Sequence, residues 1–111
     1  MAATLTTHVL DTARGVPGAG ISVGLFALGG ERTLLHVAVT NADGRTDTPL
    51  ATGLAPGPYE LAFAVMDYFA RDGVATFFDE IPVRFVIRSA DTRYHVPLLL
   101  SPWAYSTYRG S

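Results

Sequence analysis

Apolar and polar residues alternate with a period of two along most of the chain, which is typical of β-strands with one buried face. Leu5, Thr7 and Val9 share one face of a first predicted strand, and His8 lies on the opposite face. The same pattern recurs at Ile21, Val23 and Leu25, over Leu34 to Thr40, at Tyr59, Leu61, Phe63 and Val65, at Ile81, Val83, Phe85 and Ile87, and at Tyr94, Val96, Leu98 and Leu100. These segments predict a mainly β protein.

Turn-forming sequences separate the predicted strands. Asn41-Ala42-Asp43-Gly44 is a strong turn signal, and Ser89-Ala90-Asp91-Thr92 is another. Two further extended segments are expected, a short one over 45–50 and a final strand over 103–108.

One segment departs from the period of two. Met66, Phe69 and Ala70 have helical spacing, and Gly73 is placed to end a helix over 66–71. The whole pattern predicts a β-sandwich of seven to eight short strands with one short helix.

Composition narrows the class of protein. The 111 residues are expected to form one domain over 1–111. Hydrophobic residues make up 49% and charged residues 16%, so part of the apolar surface is expected in a subunit interface. The net charge of -2 favours neither nucleic acid nor an anionic membrane as partner. The first residues resemble no secretory signal and no apolar run is long enough to span a membrane, so a cytoplasmic location is expected.

The candidate chemistry rests on few residue types. The chain has no cysteine and no lysine, which excludes disulfides, thiolate metal sites and Schiff-base chemistry. His8, His36 and His95 are the side chains that titrate near neutrality, and His36 lies among apolar neighbours. Arg45 and Arg109 are each either solvated or directed at a ligand. No metal-binding spacing, nucleophile elbow or phosphate loop is present, so the residues alone indicate only a small oligomeric β-sandwich.

Three motifs carry a family resemblance. They are Leu-Thr-Thr-His-Val-Leu-Asp-Thr at 5–12, His-Val-Pro-Leu-Leu-Leu-Ser-Pro at 95–102 and Tyr-Ser-Thr-Tyr-Arg-Gly-Ser at 105–111. They resemble those of the 5-hydroxyisourate hydrolases, the transthyretin-like proteins of purine (urate) degradation. Arg45, after the Asp43-Gly44 turn, falls where that family keeps an arginine.

The resemblance implies a transthyretin-like sandwich and a cyclic amide hydrolase that opens the ring of 5-hydroxyisourate. It implies a homotetramer, a dimer of dimers, with active sites at the dimer–dimer interface and without metal or organic cofactor. The implied site residues are His95 as general base, His8 as its partner or a substrate ligand, Arg45 for charge stabilisation, Ser111 as a hydrogen-bonding group, and Tyr108 and Arg109 for substrate binding and for positioning the end.

Two other functions remain open from the sequence. The first is a non-catalytic transthyretin-type carrier of a small aromatic ligand. The second is a structural or carbohydrate-associated β-sandwich, because the turn sequences at Thr40–Arg45 and Leu54–Tyr59 resemble those of such domains.

Overall fold

Two β-sheets packed over one hydrophobic core make up most of the structure. The structure is a computed structural model that describes residues 3–89 and 92–111. Its elements are β1 (Ala3–Asp11), β2 (Val16–Pro17), β3 (Ser22–Ala27), β4 (Thr33–Val39), β5 (Ala51–Leu54), β6 (Gly57–Phe63), α1 (Val65–Ala70), β7 (Ile81–Ile87), β8 (Arg93–Leu100) and β9 (Tyr105–Thr107). The predicted β-sandwich with one short helix is confirmed.

The order of the strands places β1 and β8 at the centre of one sheet. That sheet runs β2-β1-β8-β9, with β5 also paired to β1, and the other sheet runs β4-β3-β6-β7. β1 and β8 are parallel, and all other pairs are antiparallel. In the β1–β8 register Thr6 lies beside His95 and His8 beside Pro97. Because partners in a ladder lie on the same face of a sheet, both candidate histidines are near one face.

Burial along β1 follows the predicted alternation. Leu5, Thr7 and Val9 are buried, whereas Thr6 and His8 are half-buried. The Thr7 hydroxyl donates to the carbonyl oxygen of Val96 at 2.7 Å, which satisfies a polar group within the core. The alternation therefore assigns one face of β1 to packing and leaves the other accessible.

The helix lies where the sequence predicts it, but it packs through other residues. Val65, Tyr68 and Phe69 are buried, whereas Met66 is 51% exposed and Ala70 is exposed. Val65, expected on the preceding strand, belongs to the helix instead because β6 ends at Phe63. Gly73 has a φ of 66°, which fits its predicted role in ending the helix.

A hydrogen bond ties the helix to the end of β1. The Tyr68 hydroxyl donates to Oδ2 of buried Asp11 at 2.7 Å, while Oδ1 accepts from the backbone N–H groups of Ala13 and Arg14. Burial, together with the carboxylate of Asp11, raises the pKa of Tyr68 to about 12. This network fixes the turn that follows β1.

The short extended segment expected over 45–50 is not part of a strand, and the next strand, β5, covers Ala51–Leu54. Residues 45–50 instead form a loop in which the Thr46 hydroxyl donates to the carbonyl oxygen of Thr48, and Pro49 has no N–H for a ladder. The backbone N–H of Leu50 donates to the carbonyl oxygen of Leu5 at 2.9 Å, so this loop runs along β1.

The final predicted strand is shorter than expected. Ser101 and Ala104 close a turn through their backbones at 2.9 Å, so the strand covers Tyr105–Thr107 and not 103–108. The described residues hold nine strands instead of seven to eight, because β2 lies within a segment expected to be a turn and β5 follows the segment over 45–50 that forms a loop. Of the predicted turn over 89–92, Ala90 and Asp91 lie outside the described residues. None of the helices in the described ranges is long and apolar enough to cross a membrane.

Candidate active site

The site is built on the accessible face of the β1–β8 pair. Thr6 Oγ1 lies 2.8 Å from Nδ1 of His95, and both side chains are half-buried. The contact joins residues 89 positions apart and depends on the parallel register of the two strands.

A tight turn brings Arg45 to this face. Oδ1 of Asn41 accepts from the backbone N–H groups of Asp43 at 2.9 Å and Arg45 at 3.2 Å. Gly44 has a φ of 76°, and a Cβ there would collide with the carbonyl oxygen of Val9. The Val9 N–H donates to the carbonyl oxygen of Gly44 at 2.8 Å. Only glycine therefore lets the turn approach β1 this closely.

The same turn holds His8. Nε2 of His8 lies 2.9 Å from the carbonyl oxygen of Asp43. Since a carbonyl oxygen only accepts, Nε2 must donate, which leaves Nδ1 of the neutral ring without a proton. His8 is thus fixed in one tautomer by the loop that carries Arg45.

A cavity of about 520 Å³ opens beside these groups and is called the His95 cavity below. Its lining residues are Thr4, Thr6, Arg45, Pro49, Arg93, His95 and Ser111. The volume suits a small-molecule ligand. Three of the residues implicated by the family resemblance, Arg45, His95 and Ser111, therefore share one cavity.

The surroundings of His95 favour its neutral form. Burial, then the positive charge of Arg45 and that of the His8 ring in its protonated form, lower the pKa of His95 below its ordinary value of 6.5. His8 is outside the lining of the cavity but close enough to influence this titration. A neutral imidazole at neutral pH can accept a proton, as a general base must.

The last residues of the sequence pass directly over the imidazole of His95. Gly110 forms an isolated bridge with His95, and its N–H donates to the His95 carbonyl oxygen at 2.7 Å. A Cβ at position 110 would lie 2.5 Å from Cδ2 of the His95 ring. The glycine therefore permits an approach that carries Ser111 into the cavity.

Tyr108 and Arg109 lie elsewhere in this chain. They line a second cavity of about 410 Å³, called the Tyr94 cavity below. Its other lining residues are Val83, Arg84, Phe85, Val86, Arg88, Tyr94, Val96 and Thr107. The guanidinium of Arg109 stacks over the Tyr94 ring at 4.2 Å and donates to the carbonyl oxygen of Arg93 at 3.1 Å. Arg109 thus holds the last segment against the sheet. The contact of Tyr108 and Arg109 with substrate stays a prediction.

Sequence reasoning missed Thr6, Arg93 and Gly110 as part of the site. The period-two pattern already placed Thr6 on the face of β1 that carries His8, and Arg93 on the face of β8 that carries His95. Gly110 had no such signal, because its importance depends on the ring beneath it.

His36 is exposed on β4 and is not among the residues of the cavity. Within residues 3–89 and 92–111, no group of three or more His, Asp or Glu side chains is arranged to hold a metal ion.

Comparison with known proteins identifies the class. The sequence model of the HIUase/Transthyretin family matches residues 5–110, and the chain belongs to that family. It is 53% identical to the 5-hydroxyisourate hydrolase 2 of Rhizobium meliloti (strain 1021), over 96% of this chain and 95% of that protein.

Two solved structures show the same fold. The structure of Klebsiella pneumoniae 5-hydroxyisourate hydrolase matches with a TM-score of 0.86 and 40% identity, covering 97% of this chain and 99% of that one. The crystal structure of (S)-allantoin synthase matches with a TM-score of 0.93 and 43% identity over 99% of this chain. The present chain spans only 44% of the allantoin synthase chain. The transthyretin-like fold expected from the motifs is confirmed.

Proposed function

We propose that this protein hydrolyses 5-hydroxyisourate to 2-oxo-4-hydroxy-4-carboxy-5-ureidoimidazoline in urate degradation. The observation that carries the proposal is the His95 cavity, in which a histidine with a lowered pKa stands beside Arg45 and Ser111. The identity of 53% to a 5-hydroxyisourate hydrolase over nearly the whole of both chains supports the choice of substrate.

His95 acts as the general base in this proposal. It accepts a proton from water as the water oxygen bonds to a carbonyl carbon of the ring, and the carbonyl becomes an oxyanion. The tetrahedral intermediate then collapses, the ring C–N bond breaks, and the proton passes from His95 to the leaving nitrogen. General-base catalysis of this kind contributes about 10²–10⁴-fold.

The remaining groups bind substrate and stabilise charge. Arg45 presents a planar set of donors to the urate-like ring and to the oxyanion as it forms. Ser111 hydrogen-bonds substrate or water, and His8 orients the substrate or shares the proton. Tyr108 and Arg109 hold the last residues in place, and their proposed contact with substrate would come from another copy or after rearrangement. The mechanism uses no metal or organic cofactor, because the scissile amide is already activated by its ring.

The proposal includes a homotetramer, arranged as a dimer of dimers, with the sites at the dimer–dimer interface. Large apolar side chains on and near the edge strands β7 and β9 support an assembly, with Val86 44%, Trp103 66% and Tyr108 58% exposed. Residues 1–111 act as one hydrolase domain in this account, as the single core cluster suggests. A cytoplasmic location stays a prediction that cell fractionation would test.

The test follows the ultraviolet decay of 5-hydroxyisourate, generated from urate with uricase, with and without the protein. We expect rapid decay with the wild type and with His36→Ala, whose histidine lies outside the cavity. We expect the acceleration to be lost with His95→Ala and with a variant lacking residues 108–111. A folded wild type that fails to accelerate the decay would refute the proposal and favour a ligand carrier, which direct binding of an aromatic ligand would then test.

A further inference from the structure

The His95 ring has a defined hydrogen-bond partner that the chemistry above does not use. Thr6 Oγ1 lies 2.8 Å from Nδ1, and Thr6 and His95 are direct partners in the β1–β8 register. Both line the His95 cavity. Because Nδ1 is engaged by Thr6, only Nε2 remains to exchange a proton with a ligand in the cavity.

The donors that line the cavity favour one direction of this hydrogen bond. A hydroxyl can donate to Nδ1 or accept from it, and the two choices leave the proton of the neutral ring on Nε2 or on Nδ1 respectively. Arg45 and Arg93 line the cavity, and arginine side chains only donate hydrogen bonds. Arg45 is close enough for its charge to lower the pKa of His95. A bare Nε2 can accept a hydrogen bond from an arginine in the cavity, whereas an N–H there cannot. The arginine donors therefore favour a ring in which Nδ1–H donates to Thr6.

The hydrogen bond to Thr6 selects one of the two orientations of the His95 ring. Gly110 lies against Cδ2, on the edge of the ring away from Nδ1. A half-turn of the ring would place Cδ2 beside the Thr6 hydroxyl and remove the hydrogen bond. Thr6 thus distinguishes two ring orientations that have nearly the same shape.

We propose that Thr6 is a positioning residue that fixes His95 with its proton on Nδ1, so that Nε2 is the atom that accepts the proton from water. The catalytic part of this inference rests on the proposed hydrolase function, but the tautomer does not. His8 provides an internal contrast, because its bond to the Asp43 carbonyl oxygen requires the proton on Nε2. The two histidines beside the cavity therefore hold opposite tautomers.

The first arm of the test measures the tautomers in the full-length protein without substrate. Protein labelled with nitrogen-15 in histidine is studied by two-bond proton–nitrogen correlation spectra, well above the ordinary histidine pKa. Spectra of His8→Asn and His36→Asn assign the signals. We expect His95 to show a protonated Nδ1 and a bare Nε2, and His8 to show the reverse. A protonated Nε2 on His95 would overturn the proposal.

The second arm uses a matched pair of variants. Thr6→Val keeps the shape but removes the hydroxyl, whereas Thr6→Ser keeps the hydroxyl. We expect the valine variant to lose the single Nδ1–H pattern and about tenfold in kcat with little change in KM, since one hydrogen bond is lost. We expect the serine variant to keep the pattern and to stay within about twofold of wild type.

The outcomes separate this inference from the proposed function. An unchanged tautomer or an unchanged kcat in a folded Thr6→Val variant would contradict a positioning role. If that variant does not fold, the wild-type spectrum and the serine variant still decide the tautomer. If the wild type hydrolyses no 5-hydroxyisourate, the proposed function fails and the catalytic role of Thr6 fails with it, while the spectra still test the Nδ1–H assignment.

Discussion

Two neighbouring residues of β8, Tyr94 and His95, face two different cavities. Comparing them shows which cavity serves packing and which one serves the proposed reaction. The Tyr94 hydroxyl accepts from the backbone N–H groups of Arg88 at 3.0 Å and Ser89 at 3.3 Å, and its ring lies under Arg109. The hydrogen bond from Arg88, and to a smaller extent that from Ser89, lowers the pKa of Tyr94. The side chain is buried and its polar atom is satisfied, so it has the character of a packing residue.

His95 has the opposite character. It is half-buried, its pKa is lowered chiefly by burial, and its ring has one nitrogen bonded to Thr6 while the other is available to a ligand. Because adjacent side chains of a strand point to opposite faces of the sheet, Tyr94 and His95 can have different functions. Substitutions at the two cavities test this division.

The largest effect is expected from an arginine on the His95 side. Arg45→Gln should lower kcat/KM by about 10²–10³-fold, because a donor to the developing oxyanion is lost. Arg88→Gln, the same change in the Tyr94 cavity, should stay within about threefold of wild type. Steady-state kinetics on both variants measures the difference. Equal losses in the two variants would remove the distinction between the cavities.

A smaller effect is expected where the chain crosses the His95 ring. Gly110→Ala introduces a Cβ 2.5 Å from Cδ2 of His95, so the ring or the last residues must move. We expect a loss of at least about tenfold in kcat, since displacement of a reacting group by about 1 Å is costly. Gly30→Ala is the control, because a Cβ there meets nothing within 4 Å. Wild-type kcat in a folded Gly110→Ala variant would contradict the packing described.

The lowered pKa of His95 predicts the pH dependence. Protonation removes the base, so kcat/KM should fall as pH decreases through a pKa below 6.5. Arg45→Gln should move this acid limb to higher pH, because a cation that opposes protonation is gone. Histidine titration by NMR on the free enzyme checks the same shift. A limb that stays in place would show that Arg45 does not influence His95.

The same shift affects stability, and its sign follows from linkage. Between the lowered folded pKa and the ordinary value near 6.5, the unfolded chain binds more protons at this site. The contribution of His95 to the free energy of unfolding is therefore present above pH 6.5 and is lost as pH falls through that window. Denaturant unfolding of wild type and His95→Asn across this range should show a reduced pH dependence in the variant.

The smallest effect on activity is expected on the Tyr94 side. Tyr94→Phe removes the acceptor of two backbone N–H groups, which should lower the free energy of unfolding by about 1 kcal/mol. Its kcat should stay within about twofold of wild type, because the hydroxyl does not reach the His95 cavity. Thermal denaturation and kinetics on one preparation test both parts. A large loss of kcat without loss of stability would assign Tyr94 to the chemistry.

Much of the fold could be predicted because burial alternates locally. The faces of β1 and β8 follow directly from the pattern of apolar residues, and the helix follows from one break in it. The segment over 45–50 was predicted to be extended but forms a loop, which one backbone hydrogen bond, from Leu50 to Leu5, joins to β1. The apolar side chain of Met66 faces outward because neighbouring Val65 and Tyr68 fill the core.

The candidate site was harder to predict than the fold from the sequence of each strand alone. The contact between Thr6 and His95 depends on which strands are neighbours, and a residue pattern within one strand does not specify that. The roles of Arg45 and Ser111 came from the family resemblance, since a turn arginine and a serine near the end carry no chemical signal alone. The separation of Arg109 from His95 follows from the register in which the last residues lie along β8.

The central claim, that chemistry belongs to the His95 side of β8, is tested most directly by one paired measurement. The decay of 5-hydroxyisourate is followed with His95→Asn and with Tyr94→Phe, variants of adjacent residues, at equal concentrations of folded protein. The account predicts that His95→Asn loses about 10²-fold or more in kcat and that Tyr94→Phe remains close to wild type. Wild-type decay with His95→Asn would contradict it.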